Sequence, residues 1–211
     1  MKLLDIYNRY DYSTSEAEDE FLEDFNYKYE IYNYKHALAI LREDFYDEWL
    51  EILEVLSNFN LLATDILKAG GRKSPISAKV DHEFYSRGWI EKQFNVNMVV
   101  DGISHETPTH QIDCYKNRIA FEIEWNNKDP FYDRDLNNFR LLYDLDVISV
   151  GIIFTRSSDL QKIFRKLGKG DSYGASTTHI NKLLPRIEGR GNGGCPILVI
   201  GITDDCFIDN R

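Results

Sequence analysis

A chain of 211 residues, 43% hydrophobic and 13% aromatic, is long enough to bury one sizeable core, and nothing in its composition calls for a second domain. Its formal charge of −10 at pH 7 speaks, taken alone, against a nucleic-acid partner, because gripping phosphates takes clustered Lys and Arg. No run of about 18 apolar residues occurs, which excludes a transmembrane helix.

The first residues meet charge at Lys2, Asp5 and Arg9, too soon for a signal peptide. Cys114, Cys195 and Cys206 are odd in number and show no metal-ligand spacing, which fits a reducing cytoplasm better than a disulfide scaffold. The charge is unevenly spread. Acids crowd Glu16 to Asp24 and Glu43 to Glu48, whereas the later stretch carries Arg156, Lys162, Arg165, Lys166, Lys169, Lys182, Arg186 and Arg190. An acidic back and a basic front permit DNA binding without indicating it.

In chain order, Lys2 to Tyr7 reads as a short strand, and the Tyr- and Glu-rich segment that follows as partly helical periphery, so residues 1–36 form a peripheral N-terminal segment of one domain spanning 1–211. Ala37 to Leu41 suits a strand or a helix entry. Glu43 to Phe59 is the clearest helix, with Phe45, Trp49, Ile52, Leu53 and Leu56 at steps of three and four. Gly70-Gly71 breaks the chain, and Pro75 opens a helix expected to run to about Lys92, interrupted near Gly88. Val96 to Val100 is strand-like, Gly102 to Pro108 a loop, and Gln111 to Asp113 and Arg118 to Trp125 are strands. Helices follow over Phe131 to Tyr143, Ser158 to Leu167 and Thr177 to Ile187. Val147 to Phe154 and Ile197 to Ile202 are apolar strands of the buried kind. Strands alternating with helices predict an α/β fold, a central mixed sheet flanked by helices.

The most informative stretch is Ile112 to Asn127. Ile119, Phe121, Ile123 and Trp125 fall on one strand face, and Ala120, Glu122 and Glu124 on the other, because side chains alternate with period two. A turn at Tyr115-Lys116-Asn117 would fold Asp113 back beside Glu122 and Glu124. Three carboxylates at the mouth of such a ribbon suit Mg²⁺, which takes a few carboxylate oxygens and keeps waters for a phosphate substrate. The competing reading is an edge strand with a solvated acidic face.

Five pieces, in their order, carry a resemblance: Asp47 to Leu53; Ser74-Pro75 to Trp89; Phe121 to Asn127; Val150 to Phe154; and Glu188-Gly189-Arg190-Gly191 leading into Cys195 to Gly201. Together the chain resembles a type II restriction endonuclease of the BglII and BstYI group. The resemblance implies a restriction-endonuclease-like core of the PD-(D/E)xK kind and a homodimer that cuts duplex DNA at a short palindrome with Mg²⁺. It also implies a DNA methyltransferase in the same system. The family motif runs Asp, then Glu-x-Lys, with Gln in the Lys position within the BglII group. Here that position is Glu124, similar to the BamHI arrangement, which leaves the base open.

On this reading Asp113 and Glu122 hold the metal, Glu124 orients or deprotonates the attacking water, and Glu91 is a candidate fourth acid for which an ordinary surface glutamate is the favoured alternative. Asn126 and Asn127 follow the acidic strand and suit adenine contacts or simple turn chemistry. Ser172, Tyr173, Ser176, Thr177 and Thr178 form a second candidate recognition loop, with helix capping as the alternative. Arg190 between glycines suits close approach to a phosphate or a base, with a solvated loop as the alternative, and Lys73 and Arg72 are candidate backbone contacts. The competing functions are a related nuclease outside restriction and an acidic interaction protein or inhibitor without catalysis.

Overall fold

Leu3, Ile6 and Tyr7 recur at helical spacing and are buried together, so the chain starts with helix α1 (Leu3–Tyr10) where a strand is expected from its apolar letters. The computed structural model describes residues 1–68 and 73–211; Gly70, Gly71 and Arg72 lie outside them. Helix α2 (Glu16–Lys28) opens on a reciprocal cap, in which Ser15 Oγ accepts from Glu18 N–H at 3.1 Å and Glu18 accepts from Ser15 N–H at 3.1 Å. Strand β1 (Tyr29–Tyr34) follows at once, then α3 (Ala37–Asp44) and α4 (Tyr46–Asn58). Residues 1–36 are therefore not peripheral. They supply an edge strand of the main sheet and bury Leu3, Ile6, Leu22, Phe25 and Tyr29 in the core.

Short β2 (Leu61–Leu62) and α5 (Ala63–Leu67) lead to α6 (Pro75–Ser86), whose cap residue Ser74 accepts from Ser77 N–H at 2.9 Å. The helix stops earlier than expected because Gly88 takes φ +83 and redirects the chain into β3 (Ile90–Lys92). Next come β4 (Asn95–Val100) and β5 (Ile103–Pro108), an antiparallel pair where a strand and a loop were expected. Asp101 and Gly102, at φ 50 and 80, form the two-residue turn that joins them, which is the Asp-Gly hairpin signal.

A second such hairpin joins β6 (Ile112–Lys116) to β7 (Ile119–Ile123) through Asn117 and Arg118, at φ 42 and 71. Helix α7 (Phe131–Asp144) returns the chain to β8 (Val150–Arg156); a turn of 3-10 helix at Ser158–Leu160, α8 (Gln161–Lys166) and α9 (Ile180–Glu188) lead to β9 (Ile197–Ile202) and the terminal β10 (Phe207–Ile208). Helix α9 starts three residues later than its letters suggest. Thr177 and Thr178 are engaged elsewhere, pairing with Lys128 and Asn127.

The main sheet has six strands in the order β1-β9-β8-β7-β6-β3, with β7, β8 and β9 mutually parallel and the other neighbours antiparallel. One face carries Phe121, Phe154 and Ile200 toward Trp49, Leu53 and Phe84. The other carries Ala120, Ile153 and Val199 toward Leu136, Phe139 and Ile187 of α7 and α9. Close approach of α7 depends on Gly151, where a Cβ would stand 2.5 Å from Phe139 Cδ2. Gly151→Ala should cost about 1–3 kcal/mol by overpacking, read as a lower denaturation midpoint with an unchanged m-value.

Candidate active site

The acidic ribbon is central in the sheet, not at its edge. Strand β7 lies between β6 and β8, and Glu122 and Glu124 are each 1% exposed, which removes the solvated-face reading. Ionised carboxylates in such a place are costly unless a charge compensates them.

The β6–β7 register sets Cys114 opposite Phe121, so Asp113 falls opposite Glu122 on the same face. Here the backbone ladder gives way to side chains. Asp113 Oδ2 accepts the Ile123 N–H at 2.8 Å, and Glu122 Oε2 accepts the Asp113 N–H at 3.3 Å. Glu124 sits one residue past β7, its N–H donating to Phe154 O at 2.9 Å. Its Oε2 accepts from Asn127 Nδ2 at 2.9 Å, and Oε1 faces Arg134 Nη2 at 3.4 Å.

Two members of this group escape a strand-based reading. Asp135 and Arg134 come from α7, where Asp135 occupies the buried stripe with Tyr132, Leu136 and Phe139 and is fully buried. Arg134 donates to Asp135 Oδ1 from Nε at 3.0 Å and from Nη2 at 2.9 Å. The available signal was a carboxylate at an apolar helix position.

Burial, reinforced by neighbouring acids, governs the electrostatics. It pushes Asp113 up to about 6, against the Ile123 hydrogen bond. Burial and then the charges of Asp135 and Asp113 hold Glu122 well above the usual carboxylate range. Burial and Asp135 raise Glu124 to about 10, and burial raises Asp135 as well. Four acids crowd one another with Arg134 as the adjoining cation.

Among the described residues no three His, Cys, Asp or Glu side chains are already focused on one point as metal ligands. The donor chemistry nevertheless fits a hard divalent cation. Glu122 Oε1 and Asp135 Oδ2 are buried oxygens without any hydrogen-bond donor, and the raised acids mark missing positive charge.

The remaining candidates divide by position. Glu91 is on β3, not at a helix end; it is exposed and lies at the irregular pairing opposite Asp113 and Cys114. Lys73 forms an ion pair with buried Asp81; burial disfavours its charge, but the carboxylates of Asp81, Asp113 and Glu91 outweigh burial and hold its ammonium above the usual range. Asn127 is committed to Glu124, while Asn126, at φ 59, has a buried Oδ1 with no donor.

The two candidate recognition segments meet. Thr178 N–H donates to Asn127 O at 2.9 Å, Lys128 bridges Thr177, and Asp129 N–H donates to Ser176 O at 3.1 Å. Ser172 and Ser176 are exposed there. Tyr173 is instead a core residue, stacked on Phe164 with ring centroids 4.1 Å apart and edge-on to Trp125. Thr177 is buried too, its hydroxyl accepting from Arg156 and donating to Gly174 O. Arg190 is exposed but belongs to the wrong end of the sheet: it precedes the start of β9, beside the start of β8, whereas Glu124 follows the end of β7. A five-residue strand separates the two ends by about 17 Å.

A central mixed sheet flanked by helices, with buried acids gathered on a hairpin strand and an adjoining helix, fits a fold of the restriction-endonuclease class. The family model described as Restriction endonuclease BglII/BglIII matches residues 29–202, from the first residue of β1 to the last of β9, and the chain belongs to that family. It is a type II site-specific deoxyribonuclease, a hydrolase acting on double-stranded DNA. No curated protein matches the sequence.

Proposed function

We propose that the enzyme hydrolyses phosphodiester bonds at a short palindromic DNA site in a Mg²⁺-dependent reaction, with Asp113 and Glu122 as the metal-holding pair and Glu124 as the residue that handles the attacking water. The observation that carries this reading is the fully buried Glu122, whose Oε1 has no donor in a site crowded with other acids. Bound there, Mg²⁺ would lower the pKa of water and neutralise charge on the phosphate.

The chain's own residues do the rest. Asp113 is aimed by the Ile123 N–H, and Glu122 by the Asp113 N–H. Asn127 and Arg134 fix the two oxygens of Glu124. Burial and the charge of Asp135 favour a proton on Glu124; with the local negative charge compensated, its carboxylate would be positioned to accept one from water. Lys73 stands beside Asp81 and within the field of Asp113, where its charge suits a phosphate.

A palindrome matches a two-fold protein that cuts one strand with each subunit, so the working form is a homodimer. Its setting is the cytoplasm, with a methyltransferase protecting host DNA. Among the described residues no helix is long and apolar enough to cross a membrane. Incubation of plasmid with the protein and Mg²⁺ should give discrete fragments, and EDTA should prevent them. Intact plasmid under both conditions would sink the proposal, and a smear would favour a nuclease without site preference.

Asn127 acts here on Glu124 more than on a base. Asn127→Ala should lower kcat by about tenfold or more through loss of a carboxylate-orienting hydrogen bond, with the cleaved sequence unchanged. End-mapping of the products separates this from a reading role, which would relax the site.

A further inference from the structure

Beside the loop formed by residues 170–175 lies a pocket of about 440 Å³, lined in part by Arg156, Ser158, Gln161, Arg165, His179 and Asn181. Arg156, the last residue of β8, is 1% exposed. Its hydrogen bonds leave from Nη2, to Thr177 Oγ1 at 2.9 Å and Tyr173 O at 3.2 Å, while Nε is buried with no partner. Its guanidinium stands 5.3 Å over the Phe164 ring. Among the described residues no carboxylate forms an ion pair with it. A buried cation in that position is expensive, and an anion entering the pocket would compensate it.

Other features have the same sign. Arg165 is exposed at the rim, and Gly170 leaves it room, since a Cβ there would stand 3.1 Å from Arg165 Cγ. Helix α9 starts at the pocket with no side chain capping it, so its first N–H groups and the positive end of its dipole add to the field. Burial, then the charges of Arg156 and Lys182, hold His179 down at about 4. Asp171 also lines the rim and is exposed to solvent.

We propose that this pocket is a phosphate-binding site that takes a backbone phosphate of bound duplex DNA away from the scissile bond. The proposal rests on the DNA-cleaving reading. The pocket shares the C-terminal end of the parallel strands with the acids: Thr155, the neighbour of Arg156, donates from Oγ1 to Glu124 O at 2.9 Å, and the loop around the pocket bridges to Lys128. Thr155 bonds to Tyr132 on the α7 side, whereas Arg156 packs on the opposite face over Phe164. A duplex lying across this end of the sheet would meet both. A phosphate contact fixes position and carries no sequence information, so its loss weakens all sequences alike.

The test is duplex binding without Mg²⁺ over a range of salt concentrations, for wild type, Arg165→Gln and Arg156→Gln, with circular dichroism to confirm folding. Each folded variant should lower the slope of log K against log salt by about 0.9 and weaken cognate and non-cognate duplexes equally. Wild-type slopes in the folded variants overturn the proposal, and if Arg156→Gln does not fold, surface Arg165→Gln decides alone. Wild-type protein that binds no duplex refutes the nuclease reading instead, and inorganic phosphate then judges the pocket at constant ionic strength. A thermal midpoint raised in wild type but not in Arg165→Gln sustains a phosphate site; an unmoved wild-type midpoint overturns it.

Discussion

Glu122→Gln should reduce cleavage by about 10²–10³-fold or more while leaving duplex binding in place, because it removes a charge needed only where the phosphate reacts. The same change should stabilise the metal-free protein. Glu122 is raised well above its ordinary range by burial and by Asp135 and Asp113, so at neutral pH folding confines it where ionisation is disfavoured. A neutral amide of the same shape removes that conflict, an effect of about 1–3 kcal/mol. Raised carboxylates bind more protons in the folded than in the unfolded chain. Their contribution is therefore present at low pH and lost as pH rises from the unfolded range toward the folded pKa, about 6 for Asp113 and about 10 for Glu124. Thermal melts in EDTA should show wild type losing stability between pH 5 and pH 9, an interval set by about those pKa values, with Glu122→Gln losing less. A variant that cuts at the wild-type rate, or melts lower at pH 9, would contradict the assignment.

The second large effect lies away from the acids. Glu18 accepts from Tyr7 OH and Arg42 Nε at 2.8 Å, and from Trp49 Nε1 at 3.2 Å, while capping α2 through Ser15. Burial pushes its pKa up, but Arg42, Tyr7 and Ser15 together outweigh burial and hold it below the usual range. Glu18→Ala strips the Arg42 guanidinium of its carboxylate, strands the buried Tyr7 hydroxyl and leaves Trp49 Nε1 only Tyr7 OH at 3.3 Å, so it should cost about 3–5 kcal/mol and lower Tm by on the order of 10 °C. The sign with pH is opposite to that of the site acids. A depressed carboxylate stabilises above its unfolded pKa near 4.5, and that contribution disappears as pH falls through the folded value. The gap between wild type and Glu18→Gln in chemical denaturation should therefore narrow below about pH 4. A gap that stays constant into acid would show that Glu18 acts by shape alone.

These two glutamates mark what is visible in letters and what is not. Period-two alternation placed Glu122 and Glu124 together on one face, and the hairpin brought Asp113 beside them, because strand geometry and a two-residue turn are local rules. The apolar runs Val147 to Phe154 and Ile197 to Ile202 were likewise legible as buried strands, the first lying in the fold at Val150–Arg156. The Ser15-x-x-Glu18 cap and the Asp101-Gly102 turn are also local signals, of a helix start and a hairpin. For α1, whose eight residues hold a helical stripe of only Leu3, Ile6 and Tyr7, strand and helix patterns overlap, and packing beneath α2 decides.

An α/β chain with a carboxylate pair on one strand face, and a family resemblance carried by ordered pieces, can be read from the letters alone, since these depend on neighbours within a few residues. Long-range packing was needed to fix that this face is buried, that Asp135 and Arg134 of α7 join it, that Tyr173 is core, and that Arg190 stands at the far end. The physical reason is common to all four. Whether a polar side chain meets water, another charge or an aromatic ring is fixed by elements distant in sequence that pack over it, and no local period encodes which ones arrive.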